Sequence, residues 1–553
     1  MLSKLQHKQE SNVNKVIFFL FIFTFFMIKE LNYLYYNIIQ SPDFFKYSVY
    51  LEHFFTNTPT NREHGLLYYY IHSINLNLFY ANEPNLVLAL HRSVIQINYL
   101  IYSLGLIGLY KLLKFKNFTL DSIFVSFIFL NVFPASIALR SVLKPEIMAF
   151  AFLPWIIYLI ENFLKNKSYK YLLLATPLLI SLLTSKGNIL VITTIYLFFS
   201  YFKIFKLLSL KEFLTLSVLT ITIFGLVSLE NNQSNQKGIL DVQSGATIEE
   251  NYNFKAPKSI IYKIDFYELF SSPIKHNHAD SFIAITLLDT NNDYFDLYWN
   301  ENSTDFSKNS NNIFIFEQAN NIKAPSIDFK NLKITVYQQR LTDVYLKESI
   351  GFLLTTLMYA LLVICFINYR EYRKYLISVF LGMGILLIHS ISGYPVNNFD
   401  PLVGDTLKPL YYSFVLLLSF GLLCAILYEK KKLKLRHLLI YILTTLYILG
   451  FPKNSYENFG PEFIPKVENS FFCSVEKKLF ENKLNTETIN CKKEKKKYIE
   501  QEQFYNSKIQ HKTFNLLLLV INIYVFLYLI LEKRIKFLTT KFVFFRKIKQ
   551  EKI

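Results

Sequence analysis

Apolar runs recur along the chain, each about 18–20 residues long and separated by short polar stretches; that length carries an α-helix across ~30 Å of hydrocarbon. The pattern predicts about twelve transmembrane helices, near 16–36, 92–112, 118–138, 146–164, 171–184, 188–203, 212–229, 349–368, 375–392, 409–428, 437–451 and 513–531. Two stretches break the rhythm. Residues 230–347 mix turn-rich polar segments with short alternating apolar ones at 260–267, 313–316 and 332–337, the signature of a small mixed α/β unit. Residues 453–512 are a second long polar stretch. The expected fold class is therefore an all-α polytopic membrane protein with a small mixed α/β extracytoplasmic insert. Its parts are a membrane module at 1–229 with a long first outer loop at 36–91, the insert at 230–347, and further membrane helices at 348–452. A second outer loop at 453–512 and a last helix with a basic tail at 513–553 complete it.

Composition agrees with the pattern: 52% of residues are hydrophobic, 17% are aromatic, and the mean hydropathy is positive. The net charge of +18 first suggests a nucleic-acid partner. The placement of the charge argues against one. Lys and Arg gather at the ends of apolar runs: Lys111, Lys114 and Lys116; Lys165, Lys167 and Lys170; Arg370, Arg373 and Lys374; Lys430, Lys431 and Lys432. That is the positive-inside pattern of short cytoplasmic loops. The insert leans the other way, with 16 Asp and Glu against 11 Lys and Arg over 230–348. With both termini cytoplasmic, every short basic loop falls on one side and the two long polar stretches on the other. Lys492, Lys493, Lys495, Lys496 and Lys497 fit this scheme poorly. The basic leader at 1–15 precedes an apolar run with no small-residue cleavage site, which reads as a retained first helix. The expected location is a bacterial inner (plasma) membrane. Cys365 and Cys424 lie in apolar runs; Cys473 and Cys491 lie in the second outer loop, as a disulfide or as two thiols.

The chain has no Walker A sequence and no Gly-rich dinucleotide fingerprint. An outward-facing membrane enzyme would take its activated donor from the bilayer, as a lipid-linked group. Ionisable residues collect at the predicted outer ends of the helices: Asp43, Glu63, Arg140, Lys144, Glu146, Lys186, Asp405 and Lys408. Charges at that depth are costly and are usually paired or functional. A carboxylate removes a proton from an acceptor hydroxyl, and cations neutralise a leaving phosphate. Each also has a purely structural reading. Asp43 is a helix N-cap, Glu63 a solvated charge, and Arg140 and Lys144 snorkel. Glu146 follows Pro145 at a helix start, and Lys186-Gly187 is a tight turn. His276, His278 and Asp280 would share one face of a strand. That face would hold a metal, an acceptor or ordinary loop polarity; no further Cys or His lies near, so no metal is assigned.

Three segments carry a family resemblance: Ser41-Pro42-Asp43, Gly65-Leu66-Leu67-Tyr68-Tyr69-Tyr70, and Arg140-Ser141-Val142-Leu143-Lys144-Pro145-Glu146. Over about residues 15–230 the chain resembles the GT-C superfamily of integral-membrane glycosyltransferases, which use polyprenyl- or dolichyl-phosphate-linked sugars. The resemblance implies Asp43 as the catalytic carboxylate and Arg140, Lys144 and Lys408 as donor-phosphate ligands. Glu63, Glu146, Lys186 and Asp405 would support them, and His276, His278 and Asp280 would face the acceptor. The implied partners are the lipid-linked sugar, membrane lipid, and a glycan, lipid or protein acceptor. The first outer loop has no Asp-Asp or Asp-Glu pair, so no cofactor is assigned and a divalent metal stays open. Two other classes remain: a transporter or flippase for lipid-linked glycans, and a non-catalytic envelope scaffold. Few charges inside the helices and no inverted repeat weigh against the transporter.

Overall fold

Two glycines bring the first pair of long helices together. The computed structural model describes residues 16–28, 50–51, 65–80, 86–235, 258–271, 278, 281–290, 312–317, 334–392 and 409–448. In it, α1 (Val16–Ile28) and α2 (Leu67–Phe79) precede α3 (Leu86–Phe115), α4 (Leu120–Val132), α5 (Pro134–Ser141) and α6 (Glu146–Asn166). A Cβ at Gly105 of α3 would lie 2.6 Å from the Phe150 ring of α6, and one at Gly108 would lie 2.6 Å from Trp155. Only a missing side chain lets the two helices approach this closely. The Trp155 indole then donates to the Leu104 carbonyl at 2.9 Å.

The chain continues through α7 (Lys170–Leu183), α8 (Gly187–Phe205) and α9 (Leu210–Asn235). Short helices α10 (Phe266–Ser271) and α11 (Phe282–Asp289) follow, then β1 (Asn312–Glu317) and β2 (Ile334–Arg340). The last described elements are α12 (Leu341–Asn368), α13 (Arg373–Ser392), α14 (Ser413–Glu429) and α15 (Leu435–Ile448). α14 is the axis of the bundle, buried from Ser413 to Leu427. Ser126 of α4 donates to its Gly421 carbonyl at 2.7 Å, and Ser378 of α13 shares a hydrogen bond with its Ser419 at 2.8 Å.

Among the described residues the protein is thus largely helical, and five of these helices are long and apolar enough to cross a membrane, or six if one bent pair counts as a span. That is fewer than the expected number. Val16–Ile28, Lys170–Leu183 and Leu435–Ile448 are apolar but short, and the run at 513–531 lies outside the described residues. The run at 118–138 is not one straight helix. It breaks at Phe133 into α4 and α5, bent by 62°. Pro134 has no N–H to continue the ladder, and it begins the new helix at a position that suits it.

The short basic loops meet at one end of the bundle. Glu161 near the end of α6 pairs with Lys116 at 3.1 Å and with Lys374. Glu429 at the end of α14 accepts from the Thr119 amide at 3.1 Å, from its hydroxyl at 2.7 Å, and from the Ser122 hydroxyl. Lys165 and Lys203 sit in last turns, where a cation meets the negative helix end.

Of the insert, residues 258–271 and 281–290 pack on the first half of α12. Leu269, Ala284 and Leu288 bury against Phe352, with the Phe270 and Phe352 rings 5.3 Å apart. The strand expected at 260–267 is instead a 3-10 turn (Lys258–Ile261) leading into α10. The reason is a cap: the Asp265 carboxylate accepts from the Glu268 amide at 2.9 Å. β1 and β2 pair antiparallel, from Asn312 opposite Arg340 to Glu317 opposite Ile334.

Leu at Gly105 or Gly108 should force α3 and α6 apart and cost about 1–3 kcal/mol. Thermal unfolding in detergent should show both variants melting several degrees lower. Gly225→Leu, on open space, should melt as the parent does.

Candidate functional site

The segment leading into α2 is anchored at Gly65. Its amide donates to the Ser185 carbonyl at 3.0 Å, and a Cβ there would sit 2.1 Å from the Thr184 carbonyl oxygen. The segment therefore docks, backbone on backbone, against the turn between α7 and α8. From this anchor α2 buries Tyr68, Tyr69 and His72. The Tyr68 hydroxyl donates to Asn98 Oδ1 at 2.9 Å. Asn98 Nδ2 in turn donates to the carbonyls of Leu139 at 3.1 Å and Val142 at 2.8 Å. One amide inside α3 thus joins α2 to the end of α5, where helix carbonyls lose their own partners.

The segment that follows α5 turns Lys144 and Glu146 towards the same place. Glu146 begins α6 and is fully buried. Its Oε1 pairs with Lys186 Nζ at 2.5 Å, and Lys186 is the residue just before α8. Among the described residues Glu146 Oε2 is buried without a hydrogen-bond partner. Lys186 Nζ lies 5.0 Å from the centroid of the Tyr411 ring, and Lys144 Nζ lies 5.8 Å from the same ring. Tyr411 is held in turn: Asn188 Nδ2 donates to its carbonyl at 2.5 Å. Two ammonium groups, one carboxylate and one aromatic face thus meet at the starts of α6 and α8 and before α14, at the end opposite the basic loops. Helix N-termini add partial positive charge there. The arrangement suits an anion of phosphate type, with lysines as point charges.

Arg140 is not part of this group. Its guanidinium is fully buried in the bend between α4 and α5. Nε donates to the Ser136 carbonyl at 3.0 Å and Nη2 to the Asn131 carbonyl. The group lies 4.5 Å from the Tyr102 ring centroid and 5.0 Å from that of Tyr99. Asn131 itself is tied down, accepting from Tyr102 at 3.1 Å and donating to Thr24 of α1 at 3.0 Å.

Of the residues singled out from the sequence, Lys144, Glu146 and Lys186 come together. Asp43, Glu63, Asp405, Lys408, His276 and Asp280 lie outside the described residues. His278 is buried in a turn, its carbonyl accepting from the Ser281 amide at 2.9 Å, so it does not occupy the strand expected there. Among the described residues no three His, Cys, Asp or Glu side chains gather as a metal site. Tyr411 and Asn98 were not anticipated. Their signals were present: a Tyr pair just after Pro409-Leu410 at the head of a span, and a lone amide inside an apolar run. Comparison with family models, curated proteins and solved structures finds no match to this chain.

Arg140→Lys keeps the charge but loses the planar fork that serves two carbonyls. It should destabilise the protein by about 2–4 kcal/mol, read as a lower melting temperature. His72 gives a pH test. Burial, opposed by neighbouring Asn98, pushes its pKa down to about 3. Its folded value is below its unfolded one, so protons favour the unfolded chain. The His72 contribution is intact above about pH 6.5 and is lost as pH falls towards 3, roughly 2 kcal/mol between pH 7 and pH 5. His72→Phe should flatten that part of the melting-temperature profile.

Proposed function

We propose that this chain is a membrane glycosyltransferase of GT-C type. It moves a sugar from a polyprenyl-phosphate-linked donor to an envelope glycan, lipid or protein acceptor on the outer face of a bacterial inner membrane. The observation that carries the reading is the meeting of Lys144 and Lys186 over Tyr411, with Glu146 bonded to Lys186. These groups come from three separate stretches of sequence, and the Gly65 anchor holds the segment leading into α2 beside them.

In this reading Asp43 takes the proton from the acceptor hydroxyl. The acceptor oxygen bonds to the anomeric carbon as the bond from that carbon to the phosphate oxygen breaks. Charge grows on the departing phosphate, and Lys144 and Lys186 neutralise it. Glu146 holds the Lys186 ammonium in place, and the Tyr411 face supports both cations. Lys408, next to Pro409, is a further candidate ligand. Arg140 acts by shaping the bend that presents Lys144. The insert at 230–347 covers the site and takes part in acceptor choice, and both termini are cytoplasmic.

The test is transfer of radiolabelled sugar from a panel of polyprenyl-phosphate donors by purified protein in liposomes. Asp43→Asn should abolish turnover without moving the melting temperature. Lys144→Gln should raise the donor KM by about tenfold or more. The double variant Glu146→Gln with Lys186→Gln, which leaves no lone buried charge, should do the same. No transfer from any donor, with labelled lipid crossing the bilayer instead, would replace the enzyme by a flippase.

A further inference from the structure

Residues 258–271 and 281–290 lie deeper along α12 than an extracytoplasmic domain would. The candidate span in this helix is Leu346–Asn368. Phe352 is about 9 Å inside its outer end and Tyr359 about 20 Å, at the rise of a regular helix. Leu269, Ala284 and Leu288 are buried against Phe352, and the Phe270 ring meets it edge-on. At the far end of α11 the Thr290 hydroxyl shares a hydrogen bond with the Tyr359 hydroxyl at 3.2 Å. The Tyr359 ring is 5.4 Å from that of Phe420, which lies near the middle of the span Pro409–Glu429. The Phe420 ring in turn is 5.6 Å from Phe133, where α4 breaks. The chain therefore descends along α12, from the level of Phe352 to mid-span at Thr290.

The outward face of this segment has the composition such a depth demands. Tyr262 is 73% and Tyr267 84% exposed, and Ile261, Phe266 and Phe270 are exposed beside them. Five large apolar or amphipathic side chains within ten residues would be a liability in water. At the boundary of headgroups and acyl chains, aromatic rings with one polar tip are favoured. The accompanying charges Lys258, Lys263, Asp265 and Glu268 cancel, so apolar contact and not headgroup charge drives the attachment. The backbone is suited to the place: Ser281 caps α11, accepting from the Ala284 amide at 3.2 Å and donating to the Lys263 carbonyl at 2.5 Å.

We infer that 258–271 and 281–290 form a half-membrane element whose exposed aromatic face is a lipid-binding surface. α11 is its inward-pointing half, buried on Ala284, Ile285 and Leu288 and exposed to lipid at Ile283. α10 and the turn before it are the lipid-facing half, lying among acyl chains just below the headgroups.

Spin labels test this in phosphatidylcholine liposomes. The background replaces Cys365, Cys424, Cys473 and Cys491 by Ala, and labels are placed through Tyr267→Cys and Ile283→Cys. References are Ile364→Cys on the exposed face of α12 and Lys431→Cys in a basic loop. Labels at 267 and 283 should collide with dissolved oxygen more often than with a water-soluble nickel chelate, as at 364 and opposite to 431. Nickel exceeding oxygen at both would put the segment in water and overturn the inference. Exclusion of both reagents would mean that a second copy or another protein covers the face, and would overturn it equally. A second measurement needs no cysteine replacement. The added fluorescence of Tyr267→Trp should be quenched by lipids brominated high on the acyl chain and spared by aqueous iodide; the reverse would also overturn it.

Discussion

A proline inside an apolar span sets the constraint on which the rest of this structure depends. Where Pro134 breaks the helix, backbone carbonyls lose their partners, and hydrocarbon has none to give. The donors must come from side chains within the bundle. Arg140 reaches back to the Asn131 carbonyl before the break and to that of Ser136 within α5, and Asn98 crosses from α3 to the carbonyls of Leu139 and Val142 where the short helix ends. A guanidinium does not deprotonate, so its charge must be accommodated as well. The rings of Tyr99 and Tyr102 do that from the facing helix. Through Asn131 and Thr24 the same network fixes α1. The bend is thus a joint among four helices, and the segment bearing Lys144 leaves it in a fixed direction.

The Glu146–Lys186 pair sits at the end of that chain of causes. Burying two charges is expensive, and such a pair often contributes little net stability. Its use here is positional. Glu146 is fixed at the first turn of α6, so it sets where the Lys186 ammonium lies, over Tyr411. Among the described residues the carboxylate keeps one buried oxygen without a partner.

Hydropathy made much of the bundle legible. α3, α6, α12 and α14 lie where long apolar runs predicted them, and basic clusters mark the ends that gather round Glu161 and Glu429. Lys144, Glu146 and Lys186 were legible for a related reason: charges are rare in such a chain, so those at helix ends stand out. The break at Phe133 was not, because hydropathy measures the length of a run and not its straightness. Arg140 was expected among the donor-phosphate ligands because sequence gives no direction to a side chain. The depth of 258–290 was hidden for the same kind of reason. Short apolar stretches amid polar ones look alike in a soluble unit and in an element leaning on a membrane helix, and only the contacts with Phe352 and Tyr359 separate the two.

Among the described residues both ends of the bundle place two lysines near one glutamate, and the two ends differ in burial. At the basic end Glu161 pairs with Lys116 and Lys374, whose side chains are 22% and 53% exposed. Water and salt screen the charges there. At the other end Glu146 is fully buried, the Lys186 side chain is 11% exposed, and Lys144 is buried over the same tyrosine. Solvent screens these charges far less. Burial, more than the number of charges, therefore singles out this end as the candidate site.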